Sequence, residues 1–243
     1  MKQFSALVVA ASAVVFAAVP AAAQDFGPHS SVGLAAKVST LGLGVDAAMP
    51  VLEKANVRIG FNMFTFNHDF EDEGITFGAS LKLRSVAASF DWFPFGGGFH
   101  LSPGVMFYNG NEVDIQATVP PGQTFDLGDE TLLSSATNPV TGSGEVAFPK
   151  VAPMVTLGWG NIVPRGDRRW SIPFELGLVY SRAPTATVTF AGTACLRNGT
   201  NCRNIATDPV LQADVTRETD KINDDIDVLK VIPVLSIGFS YKF

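Results

Sequence analysis

The sequence predicts an all-β protein: an antiparallel up-and-down transmembrane β-barrel of eight strands, with one helix in the last long loop. Three observations predict it. Apolar residues alternate with small or polar residues over long segments, which is typical of strands with two unlike faces. Short turns alternate with long polar loops along the chain. The chain also ends on an alternating segment, "SIGFSYKF", whose last residue is Phe243.

The N-terminal residues predict export. Lys2 precedes an apolar run over 6–19, and Ala21-x-Ala23 is typical of a cleavage site. A membrane anchor is the alternative, but the run is shorter than the roughly 20 residues that a spanning helix needs. We therefore predict a signal peptide over 1–23 and an outer-membrane β-barrel domain over 24–243, located in the cell outer membrane of a Gram-negative envelope.

Strands are predicted wherever the alternation is sustained. Val57, Ile59 and Phe61, for example, alternate with Arg58 and Gly60. A large apolar face and a small polar face suit lipid outside and a narrow lumen inside. A soluble sandwich, with its large residues inside, is the alternative. The predicted strands are 32–38, 41–49, 57–66, 75–93, 98–119, 145–161, 170–192 and 230–243.

One predicted strand changes phase. Within 75–93, the apolar residues switch from the face of Leu81 to the face of Val86. Either a β-bulge lies near 84–85, or the strand leaves the membrane there. In the second case Lys82 points outward just above the lipid.

Two long loops are predicted at about 120–144 and 194–228. The second contains a helical pattern that Asp208 caps and Pro209 begins. We expect this helix to pack against the barrel rim, and a solvated acidic loop is the alternative. The apolar face of the helix comprises Leu211, Val215, Ile222, Ile226 and Leu229.

Cys195 and Cys202 enclose a short segment, "CLRNGTNC". In an exported chain this spacing predicts a disulfide, and two free thiols are the alternative. No second Cys or His pair lies nearby, so we expect neither a metal site nor a cofactor. Acidic clusters at 69–73 and 220–227 are interpreted as solvated faces rather than cation sites.

Charged residues also fall on the inward faces of the predicted strands. Enclosed charges need partners, and both signs are present. An eight-stranded barrel is just wide enough for its side chains to fill. We therefore predict a polar network that plugs the lumen. Its predicted members are Asp46, Arg58, Asp91, His100, Glu175 and Lys242.

Several blocks of the chain resemble a known family. The segments "DWFPFGGGFHLS", "YNGN" and "VAPMVTLGWGN" are similar to uncharacterised proteobacterial outer-membrane barrels of the broad OmpA-type superfamily. The resemblance covers essentially the whole mature chain, and it implies a fold and a location but no established activity. The final "SYKF" resembles the signal that the barrel assembly machinery reads, which gives Phe239, Tyr241 and Phe243 the role of an assembly signal.

His100 and Ser102 form the one candidate for catalysis. Residues two apart on a strand face the same way, and a His beside a Ser begins a nucleophile–base pair. The pair resembles the His-x-Ser of outer-membrane lipid A deacylases, and Glu175 would orient the His only if the folded barrel brings the two together. However, the pair faces the lumen at the periplasmic end, so we expect a hydrogen-bonding role.

These observations predict a non-enzymatic structural or surface-interaction protein. The expected partners are outer-membrane lipid, lipopolysaccharide and the barrel assembly machinery, and the expected state is a monomer. The net charge of −6 becomes −7 without Lys2, and no basic patch is present, which argues against nucleic acid. A narrow channel for small solutes and a lipid-modifying hydrolase are the alternatives.

Overall fold

Eight antiparallel strands form a closed barrel. The computed structural model describes residues 31–128 and 130–243, so the predicted signal peptide over 1–23 lies outside the described residues. The barrel order is β1-β2-β3-β4-β5-β10-β12-β16, and β16 pairs with β1 to close the ring. This confirms the predicted fold class. The strands are β1 (Gly33–Ser39), β2 (Gly42–Leu52), β3 (Ala55–Asp72), β4 (Ile75–Trp92), β5 (His100–Asn109), β6 (Glu112–Thr118), β7 (Thr124–Leu127), β8 (Glu130–Ser134), β9 (Thr141–Ala147), β10 (Ala152–Trp159), β11 (Trp170–Ser171), β12 (Phe174–Tyr180), β13 (Thr185–Ala191), β14 (Thr193–Leu196), β15 (Arg203–Asn204) and β16 (Val231–Lys242).

The two ends of the barrel differ. At one end, which we call the turn end, the chain termini of the barrel meet the connections that follow β2, β4 and β10. At the other, the loop end, β3 and β4 run far beyond the ring as a hairpin, with Phe70 still paired to Phe77. The short first strand closes the ring because it pairs along its whole length, from Gly33 with Lys242 to Ser39 with Ser236.

The phase change in β4 marks the place where the strand changes partners. Below it, Ser85 to Trp92 pair with β5, with a register shift between Val86 and Ala87. Above it, residues 76–82 pair with β6 instead. The register shift leaves Phe107 of β5 as the extra residue, and β4 pairs with β3 without interruption, so the predicted bulge near 84–85 does not occur there. The strand instead leaves the ring at this point. Lys82 lies above this point, where hydrogen bonds to Asp114 and Glu112 raise the pKa of its ammonium.

Three predicted strands each prove to be two elements. The predicted strand 98–119 divides into β5 and β6, 145–161 into the end of β9 and β10, and 170–192 into β11–β12 and β13. In each case one part lies in the ring and the other, namely β6, β9 or β13, lies outside it. β6, β9 and β13 continue the sheet of β4 beyond the barrel, so the alternation persists although the strands no longer span the wall.

The long loops fold into a body with its own apolar core. A second sheet, in the order β15-β14-β8-β7, packs there with the helix. Cys195 and Cys202 form a disulfide in this region, as predicted. We call the buried apolar set the loop core; its members are Val119, Phe125, Leu127, Leu132, Val140, Ala194, Ile205, Leu211 and Val215.

The predicted helix is α1 (Pro209–Ile226), followed by a 3₁₀ turn over Asp227–Lys230. The Asp208 carboxylate accepts hydrogen bonds from the backbone N–H groups of Val210 and Leu211 at 3.0 and 3.1 Å, which satisfies donors that the first turn leaves open. Leu211 and Val215, near the start of the helix, are buried in the loop core, and the Asn223 side chain hydrogen-bonds to the backbone of Ala186 in β13. The loop core offers an enclosed apolar surface to Leu211 and Val215.

Among the described residues, no helix is long and apolar enough to cross a membrane.

Candidate functional site in the barrel lumen

Arg58 lies at the centre of a buried charge cluster inside the barrel. The strand alternation points it inward from β3, toward carboxylates on three other strands. Its guanidinium lies 2.9 Å from Asp91 Oδ1, 2.5 Å from Glu175 Oε1 and 3.5 Å from Asp46 Oδ2. All four side chains are at most 7 % exposed. The structure thus brings together four of the six predicted network residues around one cation.

Lys37 joins this cluster, and the sequence interpretation missed it. Its Nζ lies 2.7 Å from Asp46 Oδ1. The strand alternation indicates its position, because successive residues of a strand face opposite sides and the neighbouring Val38 faces outward. Gly60 leaves room for the pair, since a Cβ at that position would collide with the Asp46 carboxylate.

His100 also contacts the cluster. Its Nδ1 lies 3.1 Å from the carbonyl oxygen of Gly98, and its Nε2 lies 3.2 Å from Glu175 Oε1. His100 therefore links the backbone at Gly98 to the carboxylate at the centre of the lumen.

The carboxylates in the cluster all contact a cation. Lys37 and Arg58 lie among three carboxylates, and His100 contacts one of the three. An enclosed set of charges is tolerated when each charge is paired and hydrogen-bonded. The carboxylates are those of Asp46, Asp91 and Glu175.

The structure does not bring Lys242 into the cluster. Its Nζ donates to the carbonyl oxygens of Pro164 and Gly166, at 2.8 and 2.6 Å. The alternation gives the right face for Lys242, but the residue ends β16 and therefore lies at the turn end, away from the charges in the middle of the lumen.

His100 and Ser102 do not form a nucleophile–base pair. Both ring nitrogens of His100 are engaged by Gly98 and Glu175. The Ser102 hydroxyl is buried and has no hydrogen-bond partner within the part of the chain that the structure describes. Glu175 does contact the histidine, but it holds His100 toward Arg58 rather than toward a nucleophile.

A segment at the turn end folds into the barrel. We call residues 160–169 the plug segment; within it, 162–169 is one of the short turns that the sequence predicts to alternate with the long loops. Ile162 and Val163 are buried against Ala35 and Ala48. The Asn161 Oδ1 accepts a hydrogen bond from Asn56 Nδ2 at 2.8 Å. Two adjacent apolar residues bury more surface inside the ring than in a solvated turn, which explains the departure.

Little space remains in the lumen. A cavity of about 30 Å³ lies beside Arg58, room for one or two water molecules. Toward the loop end an apolar layer follows the charges, and toward the turn end lies the plug segment. We call this layer the apolar plug; its members are Leu41, Met106, Ala152, Val179 and Val234, with Ala87, Met154 and Ile232 packed against them.

The outer face of the ring is apolar, in contrast to the charge cluster in the lumen. On β16, Leu235, Ile237 and Phe239 are about half exposed, while Ser236 and Ser240 point inward and are buried. The exposed apolar residues of the ring include Leu34, Val38, Leu43, Val45, Val57, Ile59, Phe61, Met63, Val105, Phe107, Val155, Leu157, Phe174, Leu176 and Leu178.

The end of the last strand is aromatic and exposed. Phe239, Tyr241 and Phe243 share the outer face of β16, and the rings of Tyr241 and Phe243 meet edge to face at 5.1 Å. The Phe243 N–H donates to Val32 O at 2.9 Å, which holds the terminal residue against the first strand.

No group of three or more His, Cys, Asp or Glu side chains able to hold a metal ion occurs in residues 31–128 and 130–243.

Comparison with known proteins gives a fold neighbour. No protein-family model matches the chain, and no curated protein matches it. The crystal structure of Acinetobacter baumannii CarO matches with a TM-score of 0.53 and 21% identity, over 87% of this chain and 97% of that one. Acinetobacter baumannii CarO2 matches with a TM-score of 0.54 and 19% identity, over 88% and 98%. At these identities the likeness establishes the fold alone.

Proposed function

We propose that the chain is an integral outer-membrane barrel that carries out no chemistry, keeps a closed lumen and has a structural or surface-interaction role. One observation carries this proposal: the ring is apolar outside and holds its paired charges inside. In water, such a continuous exposed apolar belt would be a severe aggregation liability. In lipid it is the expected outer face of a barrel.

Aromatic residues support the membrane placement. Trp92 and Trp159 end β4 and β10, and Trp170 begins β11, so all three lie at the turn end, and all are exposed. Tyr180 is exposed at the loop end of β12. Aromatic girdles of this kind flank the apolar band of outer-membrane barrels. The partners of the outer face would be lipid and lipopolysaccharide.

The ends of the chain fit the same location. The predicted signal peptide would deliver the chain to the envelope. The exposed aromatic residues Phe239, Tyr241 and Phe243 would then present the final strand to the barrel assembly machinery. Because β1 and β16 pair with each other, the ring is complete within one chain, which favours a monomer.

The packed lumen favours the closed barrel over the two alternatives. A narrow channel requires a continuous path, whereas the charge cluster, the apolar plug and the plug segment follow one another along this lumen, and the cavity beside Arg58 measures about 30 Å³. A hydrolase requires an activated nucleophile, whereas Ser102 has no contact with His100 among the described hydrogen bonds. The ordered loop core instead offers a folded surface at the loop end, where contacts outside the cell would be made.

A lipid-facing charge tests the membrane placement. Leu176 lies between Leu157 of β10 and Leu235 of β16, in the middle of the exposed belt. We expect Leu176→Arg to lower the free energy of unfolding from bilayers by about 2–4 kcal/mol, because a charge near the midplane loses its hydration. Urea titration followed by tryptophan fluorescence measures this loss.

Thr65→Arg is the matched control. Thr65 lies on the outer face of β3 beyond the belt, and the same charge there should cost at most about 1 kcal/mol. Equal, small losses in both variants, with the protein recovered in a soluble fraction, would contradict the proposal.

A further inference from the structure

A second, larger cavity lies at the loop end, separate from the charge cluster. Its volume is about 220 Å³. The turn between β1 and β2, the projecting part of β4 and the start of β16 enclose it. Its apolar lining includes Leu41, Leu81, Leu83, Phe148 and Ile232. We call it the mouth pocket.

The polar groups around the mouth pocket are already used. Thr40 Oγ1 donates to Pro233 O at 2.8 Å and accepts from Leu235 N at 3.2 Å. Asn111 Oδ1 accepts from the backbone N–H of Arg84 at 2.9 Å. The Glu112 carboxylate lies 2.9 Å from Lys82 Nζ. A polar or charged ligand would lose its own hydration in the mouth pocket without gaining these partners.

An exposed aromatic strip leads into the mouth pocket. Directly opposed residues of an antiparallel pair share one face of the sheet. Phe66 is opposite Leu81, and Phe70 is opposite Phe77, so these side chains lie on the face that lines the mouth pocket. Phe66 and Phe70 are nearly half exposed, and the rings of Phe70 and Phe77 stack at 5.1 Å.

The other face of the same hairpin is polar. Thr65, Asn67, Asp69 and Glu71 alternate with the aromatic residues of β3. The hairpin is therefore not a lipid-embedded extension of the wall, because a lipid-embedded hairpin would carry its apolar residues on the outer face. Its apolar face is directed toward the side of the sheet that carries the mouth pocket.

We propose that the mouth pocket binds an uncharged, largely hydrocarbon molecule of about nine non-hydrogen atoms, with the aromatic strip as its approach. An apolar cavity of about 150 Å³ accommodates benzene, which has six non-hydrogen atoms. In proportion, a cavity of 220 Å³ accommodates about nine. Leu41 lines both the mouth pocket and the small lumen cavity, so it forms the floor between them. The bound molecule stays at the mouth.

The test uses propylbenzene as the probe and the refolded full-length barrel in lipid nanodiscs. Methyl resonances of Leu41, Leu83 and Ile232 are followed by NMR during titration. We expect them to shift and saturate, while methyls of the lipid-facing Leu176 shift in proportion to the amount added. The charged analogue 3-phenylpropionate should leave the pocket methyls unshifted.

Two variants connect the binding to the mouth pocket. Leu81→Trp should fill it and weaken propylbenzene binding at least tenfold, and Leu81→Phe should weaken it by less. Leu178→Trp, on the lipid-facing surface, should change binding less than twofold. Each variant is first checked for folding by a gel band whose mobility changes on boiling, which we call the boiling-sensitive band. If Leu81→Trp does not fold, Leu81→Phe is compared with the unmodified chain instead.

Three results would overturn the proposal. The first is proportional shifts at every methyl, which would mean partition into lipid. The second is undiminished binding in the folded Leu81 variants. The third is equal affinity for 3-phenylpropionate, because the mouth pocket offers that carboxylate no partner.

Discussion

Replacing Arg58 by methionine is expected to lower the free energy of unfolding of the barrel by about 3–5 kcal/mol, because it leaves buried carboxylates without their central cation. Asp46 would retain its ion pair with Lys37, and Glu175 would retain its contact with His100. Asp91 would lose its ion pair with Arg58. Methionine approximates the length of the arginine stem, so the loss reports charge rather than volume. Urea unfolding in bilayers measures it, together with the fraction of boiling-sensitive folded protein.

Two further variants isolate the cause. Lys82→Met removes a cation that contacts two carboxylates at the more exposed rim, and it should cost at most about 1 kcal/mol. Arg58→Lys keeps the charge but loses the planar fork, and its cost should lie between the two. A stable Arg58→Met barrel with the unfolding midpoint of the unmodified chain would show that the cluster does not hold the lumen together.

Introducing an aspartate in the loop core is expected to unfold the loops and spare the barrel. Leu132 is 1 % exposed and packs among the apolar side chains of this core. Leu132→Asp would bury a carboxylate with no cation in the loop core, and its desolvation would cost several kcal/mol. Trypsin should then cleave rapidly after Arg203 and Arg217, while the boiling-sensitive band remains.

Val228→Asp is the control, because Val228 is 80 % exposed and the same charge there meets water. Its cleavage rate should match that of the unmodified chain. Equal resistance of Leu132→Asp and the unmodified chain would show that the loop core does not hold the loops in place. Loss of the folded band in Leu132→Asp would show that the ring depends on the loops.

The ring was predictable because contact with lipid imposes a period of two on every spanning strand. That signal was strong enough to find even the short β1, which closes the barrel. It marked the point at which β4 leaves the ring, but it could not show that β6, β9 and β13 lie outside, because these strands retain the same alternation. The pairing of β8 with β14 joins residues distant in sequence, such as Leu133 and Cys195, and no local pattern records it.

The arrangement of the lumen was also predictable only in part. Alternation gave the inward face of Arg58, Asp46, Asp91, His100 and Glu175, and the structure brings all five together. It could not give height along the barrel axis, so Lys242 was assigned to charges that it does not reach. The inward fold of the plug segment depends on the space left by Ala35 and Ala48, which the local sequence does not state.

Planar-bilayer conductance of the refolded chain tests the closed lumen most directly. A band whose gel mobility changes on boiling must first show that the barrel is folded. We then expect no ionic current at any applied voltage, because the charge cluster, the apolar plug and the plug segment follow one another along the lumen and block it. Steady, discrete current steps from the folded protein would contradict it and would make transport the leading function.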